Sequence, residues 1–368
     1  MKIAYLLGSL NRGGMETLLL DVFKNADKTD FDFIGIHRKD GMLKESFYAT
    51  KPNFFKLAPK FPFDIFYLFK LRKLLKKEHI KIIHAHQNID ALYAYLSCLG
   101  TGIKIVLTFH GYDNLYLKKK NKFSDFISKR TDRNFFVSQS QKDYYLKKYG
   151  LNPAKQTVVY NGIYFEKIDK VAVFEPLEFR KKTDLLLGSV GNFNSGRDQM
   201  TICHFLALLN AKNIDFQFVF VGAKVTNQAH LYDDCVSFCK ENNLLEKVHF
   251  LGSRNDVIAI LKQLDIFIYS TSHDTFGIAV IEAIAAKTPV FVNDWAVMKE
   301  ITDNGKFATL YKTKNENDLL QKFLLFLHNR DKYAENAKKS SIAVRKNFSI
   351  ENHIKNLDTQ YRLLTLSS

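Results

Sequence analysis

No apolar run in this sequence approaches the roughly 18 residues that cross a bilayer, so no segment reads as a membrane-spanning helix. There is no low-complexity tract, and no G-x-G-x-x-G, which leaves a nicotinamide-dinucleotide fingerprint without support. Cysteine is scarce: Cys98, Cys203, Cys235 and Cys239 are scattered through 368 residues. That usage predicts reduced thiols and a cytoplasmic setting rather than a disulfide scaffold. Cys235 and Cys239 stand at i, i+4 with His230 nearby, but no second pair completes a four-ligand zinc set. The N-terminus "MKIAYLLGSLNRGG" has a short apolar stretch and no small-residue cleavage site, so it reads as a first strand rather than a secretion signal. Nucleic-acid motifs are missing too. The basic residues accompany apolar helix faces rather than an aromatic stacking platform, so no nucleic-acid partner is expected.

What is present describes a globular chain, 46% apolar and 25% charged, longer than a single core usually supports. Two domains are the natural expectation. The net charge of +16 is uneven, since residues 51–150 hold most of it, and this predicts a basic face on the first half. Such a face suits nucleic acid, an anionic membrane or a phosphorylated substrate.

Apolar strand-like runs alternate with helical patterns almost throughout, the signature of parallel sheets covered by helices. Strands are expected at 2–8, 31–37, 81–86, 104–110, 134–138 and 157–162, then at 184–191, 216–222, 247–252, 265–270, 289–293 and 307–311. The stretch 163–183 interrupts the alternation. The reading is α/β, with two doubly wound Rossmann-like domains, 1–165 and 166–348, facing a central cleft. A last helix, 349–368, is capped by Ser349 and packs back on the first domain.

Ligand crevices of such domains lie beyond the strand C-termini, which selects the residues to inspect. "GSLNRGG" places Gly13 and Gly14 in the first such loop, where a missing Cβ lets backbone approach a phosphate. His110 ends a strand in "LTFHGYD", and Arg197 follows Gly191 in "GNFNSGR" as a cation suited to a diphosphate. The most informative stretch is "STSHDTFGIAVIEAIAAKTPVFVND" at 270–294. A helix starting near Phe276 would put Glu282 roughly 9 Å along its axis, at about 1.5 Å per residue. Its N-terminus, between Asp274 and Glu282, would offer unpaired N–H groups to an anion. A solvated glutamate on an ordinary amphipathic helix is the plain alternative.

Taken in order, "GGME", "HAH", "TFHG", "VVYNG", "GSVGNFNSGR", "VHFLGSRND" and "STSHDTFGIAVIEAIAAKTPVFV" resemble the retaining GT-B nucleotide-sugar glycosyltransferases of family 4, the glycosyl transferases group 1. The resemblance runs through essentially the whole chain. It implies a donor sugar linked to UDP or GDP, a glycan or lipid-linked acceptor, surface polysaccharide synthesis and no cofactor. It also implies residue roles. Glu282 would hold the donor ribose, Asp274 would stand at the first acidic position of the E-G-F-G-x-x-x-x-E pattern, and the amides of Phe276, Gly277 and Ile278 would hold sugar and phosphate. The two cationic positions fall on Asn192 and Arg197, and the histidine of the sugar pocket falls on His110. Catalysis would then rest on His110, Arg197 and Asp274. Three departures, the shorter Asp274, Thr275 for glycine and the uncharged Asn192, bear on donor choice.

No metal is expected. The "DFD" at Asp30–Asp32 precedes a strand instead of ending one, where a metal-binding Asp-x-Asp would be needed. A nucleotide-sugar epimerase and a non-catalytic binding protein for sugar nucleotides or anionic surfaces are the alternatives. One further expectation concerns "FPFDIFYLFKLRKLLKKEHIK". At 100° per residue, Lys70, Arg72, Lys73, Lys76 and Lys77 gather on one side and Leu68, Leu71, Leu74 and Leu75 on the other. Docking of this basic face, aided by Lys118-Lys119-Lys120, on the inner face of the cell membrane is expected.

Overall fold

The computed structural model describes residues 1–113, 120–172, 177 and 185–366. Lys118 and Lys119 lie outside the described residues. The chain divides into two compact units, Met1–Ile163 together with the chain from Phe348 onward, and Tyr164–Asn347.

The first unit holds a seven-stranded sheet. Its strands are β1 (Lys2–Ser9), β2 (Asp32–Lys39), β3 (Asn53–Lys56), β4 (Ile80–Ala85), β5 (Lys104–Phe109), β6 (Arg133–Phe136) and β7 (Gln156–Val158). The order is β3-β2-β1-β4-β5-β6-β7, and every pairing is parallel. The second unit holds β8 (Leu185–Val190), β9 (Phe216–Val221), β10 (Val248–Phe250), β11 (Ile266–Tyr269), β12 (Val290–Asn293) and β13 (Thr309–Tyr311), ordered β10-β9-β8-β11-β12-β13, again all parallel. Both sheets reverse direction beside their first strand, the doubly wound arrangement that opens ligand crevices at strand C-termini. Strands covered on both faces read as continuous apolar runs, and β1, β8 and β9 are buried along nearly their whole lengths.

β3 is not foreseen by the strand pattern. It is a short edge strand, "NFFK", only partly buried, so it carries neither a long apolar run nor a clean alternation. At the other end of the chain, Ser349 does cap its helix, accepting the Asn352 amide at 3.1 Å. That helix, Ile350–Leu366, rejoins the first unit. Near its start the Ile163 amide donates to the Phe348 carbonyl and the Ile350 amide donates to the Ile163 carbonyl, and Tyr361 reaches both Tyr5 and His84 through its hydroxyl.

The helix Ile65–Lys77 buries Tyr67, Leu71 and Leu75, with Leu68 and Leu74 packed against the same core. Lys70, Lys73, Lys76 and Lys77 are exposed as the periodicity predicts. Arg72 is not part of that face. Its guanidinium donates to the carbonyls of Ser97 at 3.2 Å and Leu99 at 2.6 Å, closing the C-terminal end of the helix Asn88–Cys98.

Candidate active site

In the first unit, the loop after β1 delivers Gly13 as the N-cap of the helix Gly14–Lys24. The Glu16 side chain folds back over it, so a Cβ on Gly13 would lie 2.5 Å from Glu16 Oε2. A side chain there would displace that carboxylate, while the backbone of Gly13 is extended and open to any residue.

His110 follows β5 at the same sheet edge, with Nε2 3.0 Å from Nδ1 of His86. His84 lies beneath His86, its ring centroid 4.3 Å away, and bonds Thr108 and the Tyr361 hydroxyl, each at 2.6 Å. His353 completes the group through a 2.6 Å bond to the Tyr160 carbonyl. Burial, reinforced by the neighbouring His353, pushes His110 down to about 3. Burial takes His353 to about 4 and holds His84 and His86 well below the usual histidine range. At neutral pH these imidazoles are uncharged, able to donate and accept hydrogen bonds. His84 and His86 share a strand face by period-two spacing, which is the signal "HAH" carries. His353 carries none, because only the fold returns it from the chain's end.

Sequence reading also missed Arg38, Gln87 and Asp90. Arg38 Nε donates to Asp90 at 2.6 Å and its other nitrogen to Gln87 at 3.0 Å. Burial pushes Asp90 up to about 6 against the pull of Arg38. The "DFD" residues lie elsewhere: Asp30 pairs with Arg362, and Asp32 opens β2. Among the described residues, no group of three or more His, Cys, Asp or Glu is placed to hold a metal ion. Cys203, Cys235 and Cys239 are free thiols in the core of the second unit.

In the second unit the loops after β8 and β11 are stitched together. Thr271 Oγ1 donates to the Gly196 carbonyl at 2.7 Å, and the Asp198 amide to the Ser270 carbonyl at 3.1 Å. Asn293, at the end of β12, clamps both polar groups of the Thr271 backbone. This places Arg197 against Asp274 with an N–O distance of 2.8 Å, its guanidinium 4.8 Å from the Tyr269 ring centre. Tyr269 donates its hydroxyl to the same carboxylate oxygen, Oδ2. The other, Oδ1, accepts from the amides of Thr275 at 2.7 Å and Phe276 at 3.2 Å. Four donors fill the lone-pair sites of a carboxylate. Burial opposes ionisation of Asp274, but Arg197, Tyr269 and the Phe276 amide outweigh it and hold the carboxyl below its usual range. Asp274 is thus an ionised organiser of the loop with no acceptor capacity left for a ligand. Arg197 Nε remains buried without a hydrogen-bond partner among the described residues. Gly191 gives it room, since a Cβ there would stand 2.9 Å from that nitrogen.

Gly277 is the N-cap of the helix Ile278–Ala285 and takes the left-handed conformation, φ 85°, which costs a side-chain-bearing residue dearly. A Cβ would also meet Met298 Cε at 2.8 Å. The helix starts two residues later than expected, so Glu282 sits one turn inside it rather than two, roughly 6 Å along the axis. The Phe276 amide, expected at an anion, is spent on Asp274, which leaves Gly277 and Ile278 of the expected three. Asn192, expected at a cationic position, is exposed and accepts the Ala223 amide at 2.9 Å, so it ties two loops together.

The sequence profile of Glycosyltransferase Family 4 matches residues 12–167, and that of Glycosyl transferases group 1 matches 174–342. An Escherichia coli UDP-Gal:alpha-D-GlcNAc-diphosphoundecaprenol alpha-1,3-galactosyltransferase is 25% identical over 80% of this chain and 79% of its own. An N-acetyl-alpha-D-glucosaminyl L-malate synthase from Bacillus anthracis is 22% identical over 86% of this chain and 83% of its own. Among solved structures, a glycosyltransferase from Rickettsia africae superposes with TM-score 0.86 at 20% identity, covering 100% of this chain and 99% of that one. An Anabaena protein solved with UDP and glucose gives 0.80 at 16% identity, with 100% of both chains covered. With two adjoining profiles taking in nearly all of the chain and the fold matched end to end, the protein belongs to the family 4 glycosyltransferases of GT-B type.

Proposed function

We propose that the protein moves a hexosyl-type sugar from a UDP- or GDP-linked donor to a glycan or lipid-linked acceptor, with retention, in the cytoplasmic stage of surface polysaccharide synthesis. The observation that carries the reading is the grouping, within the second unit, of a buried unpartnered Arg197 Nε, the N-terminus of the helix Ile278–Ala285 and Glu282 one turn inside it. A nucleoside diphosphate has the matching order of groups: phosphates for the cation and amides, ribose hydroxyls for a carboxylate.

The chain's main chemical task is then electrostatic. As the sugar–phosphate bond breaks, charge grows on the departing diphosphate, and fixed donors aimed at it lower the barrier without reorganising. Arg197 and the Gly277 and Ile278 amides supply them. Asp274 acts as a positioning residue, holding the guanidinium in place. The acceptor hydroxyl attacks from the face the diphosphate leaves, which retains the anomeric configuration. His110, uncharged, is suited to hydrogen-bond a sugar hydroxyl at the first unit rather than to protonate it. With Arg197 and the two amides meeting the leaving charge, this reading needs no divalent metal, so turnover should survive a chelator.

The relatives support the acceptor class: besides the Escherichia coli enzyme, an N,N'-diacetylbacillosaminyl-diphospho-undecaprenol alpha-1,3-N-acetylgalactosaminyltransferase of Campylobacter jejuni is 24% identical over 80% of this chain. An epimerase would need a proton-transfer pair flanking the sugar, and Asp274, with every lone-pair site occupied, is poorly suited to serve in one. A thermal-shift screen with UDP, GDP and ADP and their sugars, in EDTA, tests the reading, because a ligand bound only by the folded form raises the unfolding midpoint with concentration. One base should stabilise the protein; no response to any would contradict a donor site.

A further inference from the structure

Five large apolar side chains stand in solvent within one short stretch of the first unit. Phe61, Phe63, Ile65, Phe66 and Phe69 are 56%, 68%, 55%, 69% and 63% exposed. Single exposed apolar residues are ordinary, but a contiguous patch marks a contact surface. This one is also held in shape. The buried carboxylate of Asp64 accepts the Lys60 amide at 2.9 Å, the Phe66 amide at 3.0 Å and the Tyr67 amide at 3.2 Å. Within that turn Phe63 takes φ 60°, where a bulky side chain is a genuine outlier. No core packing repays the cost, since the Phe63 ring is among the most exposed in the protein. Backbone strain of this kind tends to gather where a contact uses it.

Charge says what the contact is. Along the outward face of the helix Ile65–Lys77, Ile65, Phe66 and Phe69 occupy the first turns and Lys70, Lys73, Lys76 and Lys77 the rest, all exposed; Lys60 precedes them. Phe66 and Lys73 lie seven residues apart, roughly 10 Å along the axis. A helix apolar at one end and cationic at the other matches the acyl boundary and the phosphate layer of a bilayer, with aromatic rings at the interface and lysines reaching anionic headgroups. Topology adds a reason for the position. The turn follows β3, so it lies at the C-terminal edge of the parallel sheet, the edge that also carries Gly13 and His110.

We infer that the Phe61–Phe69 turn and the lysines behind it form a wedge that inserts into an anionic bilayer and lays the C-terminal edge of the first unit's sheet against the membrane. The wedge stands independently of the sugar-transfer reading. Two kinds of side chain act in two ways: lysines give a salt-sensitive attraction, and phenylalanines give a component that salt leaves intact.

Co-sedimentation of the full chain with phosphatidylglycerol–phosphatidylcholine vesicles, containing no sugar acceptor and no nucleotide, tests this. The wild type should bind, with part of the binding surviving high salt, and should bind pure phosphatidylcholine far less. Lys73→Glu with Lys77→Glu should weaken partitioning at low salt by at least about thirtyfold, on the scale of basic residues near an anionic surface. Phe66→Ser with Phe69→Ser should remove the salt-resistant part while the thermal midpoint stays near wild type. In a Trp295→Phe background, Phe66→Trp should shift its emission to the blue on vesicles, and this reports insertion even where the serine variant folds poorly. Absence of vesicle binding, binding by both double variants equal to that of the wild type, or variants that only convert a dimer to a monomer would overturn the wedge. Because the vesicles hold no substrate, any of those results leaves the transfer reading to its own test.

Discussion

Arg197 and Asp274, 77 positions apart in sequence, form an ion pair at 2.8 Å that joins the loop after β8 to the loop before the helix Ile278–Ala285. With side chains 22% and 12% exposed, the pair is shielded enough that removing one partner strands the other. Asp274→Asn should therefore cost about 3 kcal/mol of stability, as for other pairs broken from one side. Arg197→Ala should cost a similar amount and weaken nucleoside diphosphate binding as well. A double-mutant cycle on unfolding free energy should show strong coupling; additive losses would mean that the two side chains do not depend on each other.

Gly277 makes a separate, backbone-level prediction. Gly277→Ala forces a Cβ into a left-handed φ and against Met298, and the backbone part alone costs about 1–2 kcal/mol. Adding Met298→Ala should relieve the clash and not the backbone strain. Full recovery of the thermal midpoint in the double variant would show that the conformation is not the constraint.

How much of this was legible in the chain depends on which interactions are local. Both sheets were readable because buried parallel strands are long apolar runs; β3 was not, because a half-buried edge strand of four residues has no pattern to find. The sequence spacing located Arg197, Asp274 and Glu282 but could not say that Asp274 spends itself on Arg197, Tyr269 and two amides. That depends on the register of β11 beside β8, and Tyr269 in "DIFIYS" looks like any buried aromatic. The lysine face of Ile65–Lys77 was visible in its periodicity, whereas the outward Phe61 and Phe63 depend on the Asp64 turn.

Glu282 is half-buried, one turn into its helix. Glu282→Gln preserves shape and removes the charge that would accept ribose hydroxyls. Nucleoside diphosphate affinity should fall about tenfold, the scale of one lost charge-assisted bond, while the midpoint of the unliganded protein moves little. An unchanged dissociation constant by calorimetry would remove Glu282 from the ribose.

The histidines His84, His86, His110 and His353 set a pH dependence. Their folded values lie below the ordinary 6.5, so below that pH the unfolded chain takes up protons that the folded one refuses. Stability is present above about 6.5 and is lost as pH falls toward about 4 and then 3, where His353 and His110 titrate. Each such group contributes up to about 1.4 kcal/mol per pH unit. The urea midpoint should fall across that window, and His353→Gln should flatten the slope; an unaltered slope would mean that the buried imidazoles are not what acid attacks.

Sugar transfer itself is measured by following nucleoside diphosphate release from the nucleotide sugar that stabilises the protein, with and without a polyprenyl-diphosphate-linked sugar, in EDTA. Release should depend on the acceptor, with one sugar transferred per diphosphate, its anomeric configuration kept, and a sharp loss in Arg197→Ala. Acceptor-independent conversion of the donor to another sugar nucleotide, or no release with any acceptor tried, would contradict the transfer reading.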